Sequence, residues 1–249
     1  MRFDFDLDGL ALETGISSDR LSKNLATYGA MSTLFPLLEV AGCEVGLFGG
    51  TALNKIYFGK KQRLSYDLDI FADGMEKTRR VLEKVGAKKT YSGIMPANLK
   101  KPSIKMEYEG IRIDLVEAKE GKEKPKKMQA YDLLYYYKQP IPPVVVPSYS
   151  LEYLLAEKTV ALLERNELKD IYDTWIGIQL LGDVKKYSGY LKDVARERKV
   201  RDVVAYADFH IANMLKNTEY YERRQIETLS KASPALMLKD IRTFIDTRA

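Results

Sequence analysis

The first part of the chain carries apolar residues at helical spacing and then changes to a strand pattern. Residues 10–42 predict one or two helices with a break at Pro36, because proline cannot continue the helical hydrogen-bond ladder. The short apolar stretch from Glu44 to Phe48 runs directly into Gly49-Gly50-Thr51, and a sequence of helical character follows. This order predicts a strand, a tight glycine turn and a helix.

Short strands and one amphipathic helix are expected in the middle of the chain. Residues 67–72 predict a strand, and residues 75–86 predict a helix with one apolar face. Two further strands are expected at about 103–109 and 111–117. They are joined at Glu109-Gly110, which is typical of a hairpin turn.

The rest of the sequence separates into a charged loop, two edge strands and a long helical region. Residues 119–127 have no apolar anchor and predict a solvated loop. The segments 131–137 and 144–146 predict edge strands, the second because it is bracketed by prolines. The sequence therefore predicts an α+β fold. A mixed sheet with flanking helices is expected over residues 1–150, followed by an all-α half over residues 151–249.

Charge, cysteine content and hydropathy limit the cellular compartment and the binding partners that are expected for the protein. The formal net charge is +5, from 40 Lys and Arg residues against 35 Asp and Glu residues among 249, which permits a polyanionic partner without requiring one. The single cysteine, Cys43, excludes a disulfide framework and fits a reducing, cytoplasmic compartment. Neither a signal peptide nor a membrane-spanning stretch is recognisable, so no membrane partner is expected.

The single histidine, His210, argues against enzyme classes that need an imidazole at the reacting centre. HExxH metalloproteases, Ser-His-Asp hydrolases and Cys-His nucleophile pairs belong to these classes. If the protein is an enzyme, its chemistry is therefore expected from carboxylates and lysines.

The glycine pair Gly49-Gly50 lies at the predicted turn from strand to helix. Without side chains, the turn lets backbone N–H groups approach a phosphate at the positive end of the helix dipole. A glycine pair in such a place is also consistent with an ordinary tight turn. Its meaning therefore depends on the residues that accompany it.

Three carboxylates are predicted to converge on one edge of the sheet. Asp67 and Asp69 are two residues apart and share a strand face, and Asp114 comes from another strand with Arg112 on the same side. Such a cluster of like charges is usually relieved by a divalent cation, and oxygen ligands favour Mg²⁺ or Mn²⁺. Two metals held in this way serve phosphoryl or nucleotidyl transfer. The alternative is that Asp67 and Asp69 merely point outward from an edge strand.

These motifs together resemble a known family. Gly49-Gly50-Thr51-Ala52-Leu53, followed by Arg63-Leu64-Ser65-Tyr66-Asp67-Leu68-Asp69, resembles the signature of DNA polymerase β-like nucleotidyltransferases, and more closely that of the AbiEii/AbiGii toxin group. Glu157-Lys158 and the later Lys169-Asp170-Ile171-Tyr172-Asp173 are similar to a second motif of that group. The resemblance spans roughly residues 45–180 and leaves the end of the chain uncovered.

The resemblance implies a nucleotidyltransferase-like fold for the predicted mixed sheet and roles for individual residues. Asp67 and Asp69 would be metal ligands, and Asp114 would be the third catalytic carboxylate, as general base or ligand. Lys158 would join them as a catalytic residue that neutralises phosphate charge. The residues implied to bind the nucleotide are Gly49, Gly50, Thr51, Arg63, Ser65, Asp170 and Asp173.

The resemblance also implies an activity and partners. The protein would move a nucleoside monophosphate from a nucleoside triphosphate to an acceptor, with Mg²⁺ or Mn²⁺ as cofactor. Because some members of the group act on the acceptor end of tRNA, tRNA or another RNA is the expected acceptor. Several members are toxins of toxin–antitoxin pairs, so a cognate antitoxin is a further expected partner.

Three alternatives stay open at this point. Lys158 could form an ordinary salt bridge between helices with Asp170 or Asp173, which share a helix face. Asp114, Glu117 and Lys119 have the look of a metal-dependent nuclease motif, although three residues of spacing place the two carboxylates on opposite strand faces. The fold could also serve as a catalytically silent module that binds a nucleotide or RNA.

Overall fold

Seven strands form one mixed sheet among residues 6–94, 102–118, 123–222 and 232–248, which are the residues that this computed structural model describes. In chain order the strands are β1 (Glu44–Phe48), β2 (Asp67–Asp73), β3 (Lys88–Ile94), β4 (Pro102–Tyr108), β5 (Ile111–Glu117), β6 (Lys126–Ala130) and β7 (Val144–Ser148). Their spatial order is β3-β4-β5-β2-β1-β7-β6. Strand β2 lies in the middle, antiparallel to β1 and parallel to β5, so its aspartates do not belong to an edge strand.

The helices divide between two compact units, Met1–Tyr149 and Ser150–Ala249. The first unit contains α1 (Leu7–Thr14), α2 (Ser18–Val40), α3 (Gly49–Ala52) and α4 (Met75–Lys84). The second contains α5 (Leu151–Arg165), α6 (Leu168–Leu180), α7 (Val184–Glu197), α8 (Val203–Lys216), α9 (Thr218–Glu222) and α10 (Pro234–Arg248). The predicted α+β class is thus confirmed. No helix within the described ranges has both the length and the apolar character needed to cross a membrane.

Helix α2 packs on the sheet of the first unit. Its course differs from the prediction at one position. The expected break at Pro36 is wrong, because α2 continues through Pro36 to Val40. Proline removes one backbone donor from the helix, but Leu34, Phe35 and Leu38 around it are buried in the core. Their burial offsets the lost hydrogen bond and keeps the helix intact.

Two predicted edge strands also differ from the structure. The segment at 131–137 is not a strand but a 3₁₀ turn, Leu133–Tyr137, which Asp132 caps by accepting from the Leu134 N–H at 3.0 Å. The segment at 144–146 belongs to β7, which is an inner strand between β1 and β6. Its parallel pairing with β1 is short, at Leu47↔Ser148, so few ladder donors are needed and the neighbouring prolines are tolerated.

Candidate active site

The three predicted carboxylates lie on one face of two neighbouring strands. Asp67 and Asp69 are on β2 and Asp114 is on β5, and the parallel register pairs Asp69 with Asp114. Paired residues of adjacent strands point to the same side of a sheet, as do residues two apart on one strand. Leu68 and Ile70, which alternate with the two aspartates, are completely buried. The sheet core therefore holds the aspartate face in place.

A cation already lies among these carboxylates. Arg112, which pairs with Asp67 in the β2–β5 register, donates from Nη2 to the Asp67 carboxylate. Its Nε lies 3.6 Å from Asp114 Oδ2, so one guanidinium contacts both aspartates. The Arg112 side chain is 54% exposed, so it can leave this position without opening the core. The sequence signal for Arg112 was the alternation that puts it beside Asp114, but no role followed from that alternation alone.

Gly49 contacts the carboxylate face from the neighbouring strand. It follows Phe48, the last residue of β1 and the register partner of Asp69. Gly49 has φ +72°, a conformation that residues with a Cβ rarely adopt, and a Cβ at this position would collide with the Asp69 carboxylate. Only glycine therefore satisfies both the turn and the close approach to Asp69.

Thr51 and Gly50 complete the turn after β1 through internal hydrogen bonds. The Thr51 hydroxyl donates to the Asp67 carbonyl at 2.7 Å, which ties the turn to the first residue of β2. The Gly50 carbonyl accepts from Asn54 Nδ2 at 2.8 Å. Both residues are buried, so the Thr51 hydroxyl and the Gly50 carbonyl stabilise the turn that precedes β2.

Arg63 and Ser65 lie in the loop that leads into β2. The backbone N–H of Arg63 donates to Asn54 Oδ1 at 2.7 Å, and the N–H of Ser65 donates to Asn24 Oδ1 at 3.2 Å. Ser65 is buried, and within the described ranges its hydroxyl has no hydrogen-bond partner. The loop is thus held by its backbone, while the Ser65 hydroxyl retains its hydrogen-bonding capacity.

The donor set fits a hard divalent cation by its chemistry. Three carboxylates provide oxygen ligands on one face, and two of them already share the charge of Arg112. Their present side-chain positions are not those of a formed metal site: no group of three His, Cys, Asp or Glu side chains in the described part of the chain is arranged to hold an ion. The residues therefore fit the cofactor in type and in backbone placement.

In the second unit, Lys158 lies between two buried carboxylates. Its ammonium donates to Asp170 Oδ1 at 2.9 Å and lies 3.1 Å from Asp173 Oδ2. Arg165 also contacts Asp170, at 3.1 Å. Lys158 is 6% exposed and both aspartates are fully buried. The second motif thus forms an ion-pair cluster between α5 and α6.

The pKa of Asp170 reflects this cluster. Burial is the largest influence and raises the pKa, but Lys158 and Arg165 together outweigh it and hold the pKa below its ordinary value. A carboxylate whose pKa is lower in the folded state stabilises the fold at any pH above its unfolded pKa. That stabilisation is lost as the pH falls through the folded value.

We therefore expect acid to weaken the second unit in the range below about pH 4, where the unfolded carboxylate takes up its proton first. Trp175, the single tryptophan, lies on α6 with Asp170 and reports on this unit by fluorescence. Urea unfolding followed at Trp175 between pH 7 and pH 3 should show a falling midpoint. Asp170→Asn should flatten this decline, and an equally steep decline in the variant would contradict the assignment.

Glu117, part of the alternative nuclease motif, serves the fold instead. Its two carboxylate oxygens accept from the N–H groups of Gly74 and Met75, each at 3.3 Å, at the beginning of α4. A carboxylate at a helix N-terminus is a stabilising cap. Lys119, the third residue of that motif, lies outside the described residues.

Comparison with known proteins points to one family. A family model described as nucleotidyl transferase AbiEii toxin, type IV toxin–antitoxin system, matches residues 44–246. Among solved structures, the chain is similar to MenT4, the nucleotidyltransferase toxin Rv2826c from Mycobacterium tuberculosis H37Rv, with a TM-score of 0.59 and 13% identity. The similarity covers 97% of this chain and 90% of that one and, at this identity, concerns the fold. No curated protein matches the chain.

Proposed function

The chain belongs to the AbiEii family of nucleotidyl transferase toxins and is a nucleotidyltransferase, and on this premise we propose that it moves a nucleoside monophosphate from a nucleoside triphosphate to an acceptor with a divalent metal ion as cofactor. The family resemblance predicted from the two motifs is thereby confirmed. The observation that carries the finer proposal is the meeting of Asp67, Asp69 and Asp114 on one sheet face, with Gly49 directly against Asp69.

In this proposal the three aspartates hold Mg²⁺ or Mn²⁺. Such an ion, when bound, supplies positive charge to the transferring phosphate and activates oxygen nucleophiles. The chain's own part is to hold the ligands and to bind the triphosphate. The backbone of Gly49 and Gly50 gives a phosphate close access, and Asp114 serves as a ligand or accepts the proton of the attacking hydroxyl.

The remaining predicted residues supply charge and hydrogen bonds to the nucleotide. Arg63 and Ser65 are proposed to contact the triphosphate, with Thr51 fixing the turn beside them. Lys158 is proposed to neutralise phosphate charge, with Asp170 and Asp173 holding its ammonium. Arg112 is proposed as the counter-cation of the aspartates, which a metal ion would displace from Asp67 and Asp114.

Removal of Arg112 should strengthen metal binding, because its charge competes for the same two carboxylates. For a pair this exposed to solvent we expect Arg112→Gln to bind Mn²⁺ up to about fivefold more tightly, measured by isothermal titration calorimetry. Arg79→Gln is the matched control, since Arg79 also contacts two carboxylates, those of Glu76 and Glu83 on α4. Weaker Mn²⁺ binding in Arg112→Gln would contradict the displacement.

The proposed acceptor is RNA, with tRNA as the first candidate, and the proposed regulator is a cognate antitoxin. The family's description as a toxin of a toxin–antitoxin system and the net charge of +5 support these partners. Nucleoside triphosphates and RNA are both present in the cytoplasm, where we propose that the reaction takes place.

The direct test is a transfer assay. The purified protein is incubated with each labelled nucleoside triphosphate, Mg²⁺ and total RNA, and the label is followed into RNA and protein fractions. Transfer of label to RNA supports the proposal in full. Label on protein would replace the acceptor, label on neither would favour a silent binding module, and shortened RNA without label would favour the nuclease.

A further inference from the structure

A fully buried polar cluster lies beside the loop that enters β2. It consists of Asn24 from α2, Lys55 from the π-helical turn after α3, Gln62, and Asp132, and it is called the Lys55 cluster below. All four side chains are within 1% of complete burial. A lysine and an aspartate in such a place need strong mutual contacts, because each charge loses its hydration.

The Lys55 ammonium has a partner for each of its three hydrogens. It donates to Asp132 Oδ2 at 2.7 Å, to Asn24 Oδ1 at 2.8 Å and to Gln62 Oε1 at 3.3 Å. Burial lowers the pKa of Lys55, and the charge of Asp132 opposes this effect. The ammonium therefore fixes the positions of three side chains that come from distant parts of the chain.

Asn24 connects the Lys55 cluster to the loop 62–65, which leads into β2 and contains the proposed nucleotide-binding residues Arg63 and Ser65. Its Nδ2 donates to Asp132 Oδ2 at 2.7 Å, and its Oδ1 accepts from both Lys55 and the Ser65 N–H. Gln62, at the other end of the loop, donates from Nε2 to the Tyr131 carbonyl at 3.2 Å. Both ends of the loop 62–65 are thus held by groups that contact Lys55.

The Lys55 cluster contacts the loop 62–65 at both of its ends. A buried ion pair contributes little net stability compared with apolar residues of similar size, so its value lies in fixing one arrangement. Here the arrangement that it fixes is that of Ser65, whose backbone N–H is held while its buried hydroxyl has no hydrogen-bond partner among the described residues. Ser65 is proposed to contact the triphosphate, so a loop held in one position lets its hydroxyl bind without first being ordered, which favours binding rather than the chemical step.

We propose that Asn24 is a positioning residue for triphosphate binding, acting through the Ser65 backbone, and that α2 is therefore part of the active-site machinery. This inference rests on the proposed function of the loop. Asn24 precedes residues 44–246, the part that the family model matches, so the family match does not include it. Its link to Ser65 spans 41 residues of sequence.

The test compares two residues of one helix. Asn24→Ala and Asn24→Leu both remove the amide oxygen, and the leucine fills the space that alanine leaves open. Thr27→Ala is the matched control, because Thr27 is also fully buried on α2, but in the described part of the chain its hydroxyl donates within the helix, to the Lys23 carbonyl. We expect the Asn24 variants to raise the KM for the triphosphate by about tenfold with kcat nearly unchanged. About a tenfold change is the size expected for the loss of one hydrogen bond in a network that contains charged groups.

Two readouts separate this inference from the proposed function. Binding of each non-hydrolysable triphosphate analogue with Mg²⁺ is measured by calorimetry, and amide hydrogen exchange is measured over the loop 62–65. We expect weaker binding and faster exchange at Ser65 in both Asn24 variants, and neither change in Thr27→Ala.

Each contrary outcome has its own meaning. If the unmodified protein binds no triphosphate, the proposed function fails, and hydrogen exchange still decides whether Asn24 holds the loop. If the Asn24 variants bind the analogues as tightly as the unmodified protein, the inference is wrong. It is also wrong if neither Asn24 variant folds while Thr27→Ala does, because Asn24 is then a determinant of stability alone.

Discussion

Asp69→Asn should lower nucleotidyl transfer by about a thousandfold while the protein keeps its fold. Asp69 is the central carboxylate of the site, with Asp114 beside it on β5, Phe48 beside it on β1 and Gly49 in close contact. Asparagine keeps the shape but removes the charge that a divalent cation requires. Loss of one charge from a group of three carboxylates also relieves repulsion, so the melting temperature should stay the same or rise slightly.

The control for this variant lies on the same strand. Asp73→Asn makes the same substitution at the exposed far end of β2, where Asp73 pairs with Glu44. Initial rates with labelled triphosphate and Mg²⁺ should fall in Asp69→Asn and stay near normal in Asp73→Asn. Normal transfer in Asp69→Asn, or an equal loss in both variants, would exclude Asp69 as a metal ligand.

The local pattern of the sequence predicts the strands of this site, and the grouping of carboxylates predicts that their aspartates converge, but neither predicts the register in which the strands pair. Alternation alone placed Asp67 with Asp69 and Arg112 with Asp114, because side chains change sides at every residue of a strand. The parallel pairing of β2 with β5 is a tertiary contact across α4 and two intervening strands, and no local signal encodes it. The contact between Arg112 and Asp67 follows from that pairing and could not be predicted before it.

The Lys55 cluster shows a second limit. Lysine is rarely buried, and no local feature of the sequence around Lys55 indicates that this one is. Its burial becomes understandable only when Asn24, Gln62 and Asp132 supply three acceptors from separate segments. The predicted helix break at Pro36 is wrong for a related reason. The local cost of a proline in the helix is outweighed by the burial of its neighbours against the sheet.

Lys158→Met should destabilise the second unit by about 3–5 kcal/mol, the usual effect of removing one partner of a buried ion pair. Asp170 and Asp173 then remain buried without the ammonium that contacts both, although Arg165 still contacts Asp170. Urea unfolding followed by Trp175 fluorescence measures the change. Lys169→Met is the control, because Lys169 pairs with Glu167 at the surface and should contribute less than about 1 kcal/mol.

A double variant tests whether Lys158 has a role in catalysis as well as in stability. In the double variant Lys158→Met, Asp173→Asn, the partner charge is removed together with the lysine, so much of the lost stability should return. If Lys158 neutralises phosphate charge, the double variant should bind the triphosphate more weakly than the unmodified protein and transfer the nucleotide more slowly, even though its stability is largely restored. Normal nucleotide affinity in a stable double variant would instead reduce Lys158, Asp170 and Asp173 to an ion-pair cluster that holds α5 against α6. The transferase mechanism would then depend on the aspartates of β2 and β5 and on the loop that Asn24 holds.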